Sequence, residues 1–180
     1  MLRIVLIYGV IGGIIVAVPM VYATLTLTED TVPENAAVYG YLSMLLAFTM
    51  VFVGIKHYRD KVLGGVIRFL PALGVGLGIS AVASLFWVVG WEFTLASGFD
   101  FGSAYMDSVV AAAEARGAPA AEIEQIRAET TEFLSMYANP LFRLPITFVE
   151  MFPIGALISL ISAAMLRNSR FLPARSTAGA

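Results

Sequence analysis

The sequence of 180 residues contains no cysteine and a single histidine, His57. Without thiols there is no disulfide framework, thiolate zinc site, iron–sulfur cluster or thiol–disulfide relay. One imidazole cannot build a multi-histidine metal site or bis-histidine haem ligation within one chain. Charge is scarce as well: Asp, Glu, Lys and Arg make up 13% of the residues, about half the usual ~25%. Eleven basic and 13 acidic side chains are too few to cover a soluble domain of this size. That excludes an ordinary soluble enzyme, a disordered chain and a nucleic-acid binder, which would need a basic, aromatic-studded surface. The sequence also lacks HExxH, GxSxG and GxxxxGK[ST]. Gly9, Gly12 and Gly13 lie inside an apolar run rather than after a strand, so no dinucleotide fold is indicated. No cofactor is expected.

Apolar residues are what the sequence has in abundance: 59% of the chain, with a mean hydropathy of +0.84. A hydrocarbon layer ~30 Å thick needs ~20 apolar residues rising ~1.5 Å each. Four stretches qualify, at about residues 4–27, 38–55, 67–91 and 141–166. Backbone groups in lipid must pair within their own segment, so these read as helices. The expected fold is an all-α membrane protein of four transmembrane helices, one integral domain over 1–180, with the bilayer as its first partner. The first run, with Arg3 before it and Val21-Tyr22-Ala23 near its end, also mimics a secretory signal. Its apolar length of about 24 residues exceeds the ~7–15 of a signal core, which favours retention.

Charge distribution sets the expected orientation. With the N-terminus in the cytoplasm, Arg3, Lys56, Arg59, Lys61, Arg68, Arg167, Arg170 and Arg175 fall inside, 8 of the 11 basic residues. Of the 13 acids, all but Asp60 and Glu150 fall outside. The positive-inside rule therefore predicts four crossings with both termini in the cytoplasm, a short basic loop at 56–61 and a cytoplasmic tail at 167–180. Tyr39, Tyr41, Trp87, Trp91, Tyr137 and Phe142 then gather at the outer interface as an aromatic belt.

Residues 93–140 form the one sizeable segment between spans. It breaks at Gly117-Ala118-Pro119, with Gly117 placed to end one helix and Pro119 to begin the next. In the second helix Ile123, Ile126, Thr130, Phe133 and Tyr137 recur at helical spacing, with Glu122, Glu124, Glu129 and Glu132 mostly off the stripe. The expectation is an extracytoplasmic helical hairpin between the third and fourth spans, either a cap over the spans or a docking surface for a partner.

Small residues recur at packing spacing in every span: Gly9 and Gly13, Ser43 and Ala47, Gly74 and Gly78, and Gly155, Ser159 and Ala163. Such seams let helices approach closely, within one bundle or between protomers. Glu150 is the one acid well inside a span, where a charge costs ~2.5–3.5 kcal/mol on insertion scales. Arg143 lies two turns away on the same face, ~10 Å, too far for direct contact. Pro153 and Pro145 each remove a helical N–H nearby. Glu150 is either a hydrogen-bonding strut or a proton or ion site, with Arg143 as the second intramembrane polar candidate. His57 reads as a solvated loop residue.

Gly54-Ile55-Lys56-His57-Tyr58-Arg59-Asp60, then Gly64-Gly65, Ile67, Phe69 and Gly74, resembles the bacterial inner-membrane family of domain of unknown function 4199. The resemblance extends over about residues 2–167. It implies four transmembrane helices and no assigned activity. The reading is thus an uncharacterised, non-enzymatic membrane protein, a structural or accessory subunit acting through contacts with a second protomer or another membrane protein. The alternative is a small proton- or ion-coupled transporter using Glu150.

Overall fold

A computed structural model describes residues 1–26 and 36–174. The acidic segment around Glu29, Asp30 and Glu34, and the end of the tail from Arg175, lie outside the described residues. Six helices follow in order: α1 (Leu2–Thr26), α2 (Ala36–His57), α3 (Phe69–Ala96), α4 (Phe101–Ala115), α5 (Ala120–Tyr137) and α6 (Pro140–Leu166). No strand occurs among the described residues. Four helices are long and apolar enough to cross a membrane: α1, α3, α6, and α2 with the helical turn that continues it to Val62. At ~1.5 Å per residue the 28 residues of α3 reach about 42 Å.

The stretch at 56–61 corrects one expectation. It is no loop: α2 runs through His57, and a π turn (Tyr58–Val62) carries the helix on. The chain then reverses through Gly64 and Gly65, whose φ of +70° and +99° suit residues without a Cβ. α3 also extends past Trp91 to Ala96, so Glu92 stands on a long helix rather than in a connecting segment.

α3 is the hub. It packs along α1 on one side and α6 on the other, while α2 touches α1, α3 and α6. Ile4, Val5, Val16, Phe48, Val51, Ile55, Val75, Ile79, Met151 and Leu166 fill the space between them. The seams are made of small residues. A methyl group on Gly13 would stand 2.4 Å from Phe86 Cγ, and one on Gly9 2.5 Å from Val82 Cβ, so these glycines seat α1 on α3. Across α3 and α6, Gly76 faces Ser159 and Gly155 faces Ser80. The two hydroxyls meet at 3.1 Å, and Ser159 Oγ donates to the Gly155 carbonyl at 2.7 Å. Gly78 packs on Val5, but Gly74 has nothing within 4 Å of where its Cβ would be. Among the described residues Gly74 therefore packs against no neighbouring helix. In the run from Gly74 to Gly78, Gly76 rather than Gly74 points at α6.

α4 and α5 pack antiparallel: Phe101 meets Tyr137 at 4.9 Å between ring centroids and Tyr105 meets Phe133 at 5.7 Å. The stripe from Ile123 to Tyr137 faces inward, with Thr130 and Tyr137 buried and the four glutamates exposed. Asp100 caps α4, accepting from Ser103 N at 3.1 Å and Ser103 Oγ at 2.7 Å. Those two bonds, led by the backbone one, hold its carboxyl below the ordinary carboxylate range. α4 ends in a Schellman motif: Gly117, at φ +74°, donates to Glu114 O, and Ala118 donates to Ala113 O. Pro119 stands at the N-cap of α5, one position ahead of its first turn. Asn139 caps α6 by accepting from Leu141 N.

Candidate functional site

The bundle has two chemically different ends. Arg3, Lys56, Arg59, Lys61, Arg68, Arg167 and Arg170 mark one; the other carries Glu92, Arg143 and the α4–α5 pair. Contacts tie each end across the bundle. At the basic end Tyr8 OH lies 3.0 Å from His57 Nδ1, and at the other Thr24 Oγ1 lies 3.3 Å from Thr94 Oγ1. His57 thus sits at the end of α2, exposed and paired with Tyr8 of α1.

Glu150 lies in the N-terminal half of α6, exposed, with Trp87 Nε1 donating to its Oε2 at 3.4 Å. Around them a groove of about 410 Å³ opens to the surroundings, lined by Gly40, Tyr41, Met44, Trp87, Glu150 and Ile154 from α2, α3 and α6. The carboxylate therefore faces outward from the bundle rather than into its packed axis. Arg143 belongs elsewhere. It forms a two-pronged ion pair with Glu92, both contacts at 2.7 Å, and donates to Tyr137 O at 3.2 Å and Ala138 O at 3.4 Å. The two intramembrane candidates are not brought together, as their ~10 Å separation along the helix required. The fork of the guanidinium matches the carboxylate geometry, which makes this pair a staple between α3 and α6.

The aromatic residues of that end form an internal cluster more than a belt. Trp91 Nε1 donates to Tyr137 OH at 2.8 Å, and Tyr137 OH stands 3.4 Å from Thr147 Oγ1. Trp91 also meets Phe99 and Phe101 edge-on. The cluster joins α3 to the α4–α5 pair. Tyr39 and Tyr41 remain exposed on α2.

Sequence reasoning missed Arg59. Its side chain is fully buried, 0% exposed. The guanidinium donates through Nε to Asp60 Oδ1 at 2.6 Å, through Nη1 to Phe171 O at 2.9 Å and Leu166 O at 3.4 Å, and through Nη2 to Leu172 O. Leu166 ends α6, so the cation also sits at the negative end of a helix dipole. Asp60 is shared with Lys56, one helical turn earlier.

Among the described residues no group of three or more His, Asp or Glu side chains could hold a metal ion. The family model described as a protein of unknown function (DUF4199) matches residues 7–168. The chain belongs to this family. No curated protein and no solved structure matches it. In this DUF4199 chain the match spans all six helices, from Ile7 in α1 past the end of α6. It therefore includes the Arg59 clamp up to Leu166, the Glu92–Arg143 pair and the Glu150 groove.

Proposed function

We propose that this DUF4199 chain is an integral protein of a bacterial inner membrane that works as a structural or accessory subunit, through contacts with other membrane proteins and without catalytic chemistry of its own. The membrane reading is supported by the many large apolar side chains on the exterior of the bundle. Leu6, Ile14, Val18, Leu45, Leu85, Val89, Leu157 and Leu160 are all exposed on the long helices, a surface that water does not tolerate at this extent. Retention of α1 is supported by its glycine seam, since cleavage near Ala23 would strip α3 of a main neighbour. Both termini are assigned to the cytoplasm by the positive-inside rule. Reporters fused after Arg167 and within 56–61 are expected to read cytoplasmic, and one at Gly117 external.

The observation that carries the accessory reading is the place of Glu150. It faces outward through the Trp87 groove, while the bundle axis is filled by Phe48, Val51, Ile55, Val75, Ile79 and Met151. A carboxylate presented sideways suits recognition of a polar group on a neighbour. The second reading, proton- or ion-coupled transport, is favoured by the same residue's depth in α6 between Pro145 and Pro153. Vesicles containing the chain and a pH-sensitive dye separate the two. The accessory reading expects no proton flux, and Glu150→Gln and Glu150→Leu that stay folded. Flux abolished by Glu150→Gln at unchanged stability would establish transport instead.

A further inference from the structure

The basic end holds a groove of about 470 Å³ lined by Lys56, Asp60, Lys61, Leu172, Pro173 and Ala174. Its walls come from the π turn and from the segment after α6, brought together by the Arg59 guanidinium. Two features mark it as more than the accidental gap between a helix end and a tail. The first is the π turn itself, a helical irregularity that recurs at functional sites. The second is Leu172, a non-glycine residue held at φ +46° with its carbonyl bonded to Arg59. Such a conformation is strained for a residue with a Cβ and persists only where its surroundings enforce it.

Charge at this place does not balance. Lys56, Arg59 and Lys61 surround a single carboxylate, Asp60, which is already bonded to both Lys56 and Arg59. Lys56 is one-third exposed and Asp60 only 12% exposed, so water screens them incompletely. Lys61 is exposed on the rim and has no carboxylate partner among the described residues. The groove lies where a phosphate would be: Lys56 is 20 residues along from Ala36, roughly 30 Å and one hydrocarbon thickness from the far end of α2. Basic pockets at helix ends hold anionic headgroups by this chemistry.

We propose that this groove binds a phosphate ester, with Lys61 and Lys56 as its cationic contacts and the Leu172–Ala174 segment as its wall, and that the source is the headgroup of an anionic phospholipid. The lipid source rests on the membrane reading given above; the anion site does not. Arg59 acts as a positioning residue that holds the wall in place.

The test uses the full chain in detergent, with lipid binding read by native mass spectrometry. Phosphatidylglycerol, phosphatidylcholine and inorganic phosphate are the probes. Phosphatidylglycerol is expected to bind more tightly than phosphatidylcholine, and Lys61→Gln to weaken it about tenfold, the worth of one charge-assisted contact. Lys61 is exposed and leaves the Lys56–Asp60–Arg59 chain intact, so the variant is expected to fold as the parent does. Arg170→Gln, which removes a charge from the same end outside the groove, is expected to leave binding unchanged. If inorganic phosphate displaces the lipid and shows the same dependence on Lys61, the site takes phosphate groups generally, and a soluble phosphate becomes a ligand of equal standing. Equal affinity for the two lipids, equal loss in Lys61→Gln and Arg170→Gln, or no binding of any probe would overturn the site. Failure of the membrane reading is read separately, from the reporters at 56–61 and Gly117.

Discussion

Replacing Arg59 with methionine keeps a long unbranched side chain in a fully buried site and deletes four hydrogen bonds. Three carbonyl groups then lose their donor: Leu166 O, Phe171 O and Leu172 O. The bond to Leu166 O is buried, and leaving such an acceptor unsatisfied costs about 2 kcal/mol. Those to Phe171 O and Leu172 O are half-buried, and water can reach the stranded oxygens, so about 1 kcal/mol each is appropriate. Asp60 keeps Lys56 and is not stranded. Against this, freeing Leu172 from its positive φ returns about 1 kcal/mol. The balance is a destabilisation of about 3 kcal/mol, concentrated at the basic end. Unfolding in graded sodium dodecyl sulfate, followed by circular dichroism, reads the global change. Proteolysis after Asn168 reads the local one. Arg59→Lys keeps the charge but not the fork and is expected to fall between parent and methionine variant. A loss below about 0.5 kcal/mol in Arg59→Met, with an unchanged proteolysis rate beyond Asn168, would refute the reasoning, because it would mean that the guanidinium holds nothing.

Gly13→Ala forces Phe86 aside and is expected to cost about 1–2 kcal/mol, whereas Gly74→Ala, in open space, is expected to be neutral or to stabilise by up to about 1 kcal/mol; thermal unfolding in detergent compares the two. Arg143→Lys retains the charge but loses the two-pronged contact with Glu92, for an expected loss of about 1 kcal/mol. A double-mutant cycle with Glu92→Gln checks it, since the two losses must fail to add. Asp100 has its carboxyl lowered by the bonds from Ser103, so its capping contribution is in full force above the ordinary carboxylate pKa and is lost as pH falls through the lowered one. The protection of the amides in the first turn of α4, relative to their intrinsic exchange rates, is therefore expected to fall on acidification from pH 5 to pH 2, and Asp100→Asn to flatten that dependence.

The long helices are legible in sequence because a 20-residue apolar run leaves the backbone no alternative in lipid. The inward stripe of α5 and the end of α4 at Gly117 are legible because both rest on local rules, helical periodicity and the left-handed cap. Arg59 is not. Its neighbours Lys56, Asp60 and Lys61 make the stretch look like a solvated loop, and its partners are backbone carbonyls 107 to 113 positions away. A carbonyl carries no mark in a sequence. The Glu92–Arg143 pair offered a fainter signal: two opposite charges near the same ends of successive long apolar runs, 51 positions apart. Gly74 illustrates the opposite failure. Where glycine falls at 74, 76 and 78, two packing registers fit the same rule, and only the neighbour on α6 decides between them.

The Arg59 clamp also sets an order of events during synthesis. Its carbonyl partners on Phe171 and Leu172 are made 112 and 113 residues after it. At ~5–20 residues per second the guanidinium waits roughly 5–20 s for them. During that interval α3, α4, α5 and α6 are made in turn, so all of α6 precedes the carbonyls that complete the clamp. The position of Arg59 near the end of its helix, rather than the middle, lets the waiting cation stay in water until the tail emerges. The latch that fastens the finished bundle therefore closes last, and a chain truncated before Leu172 would leave the biosynthetic machinery with its four long apolar helices but without that lock.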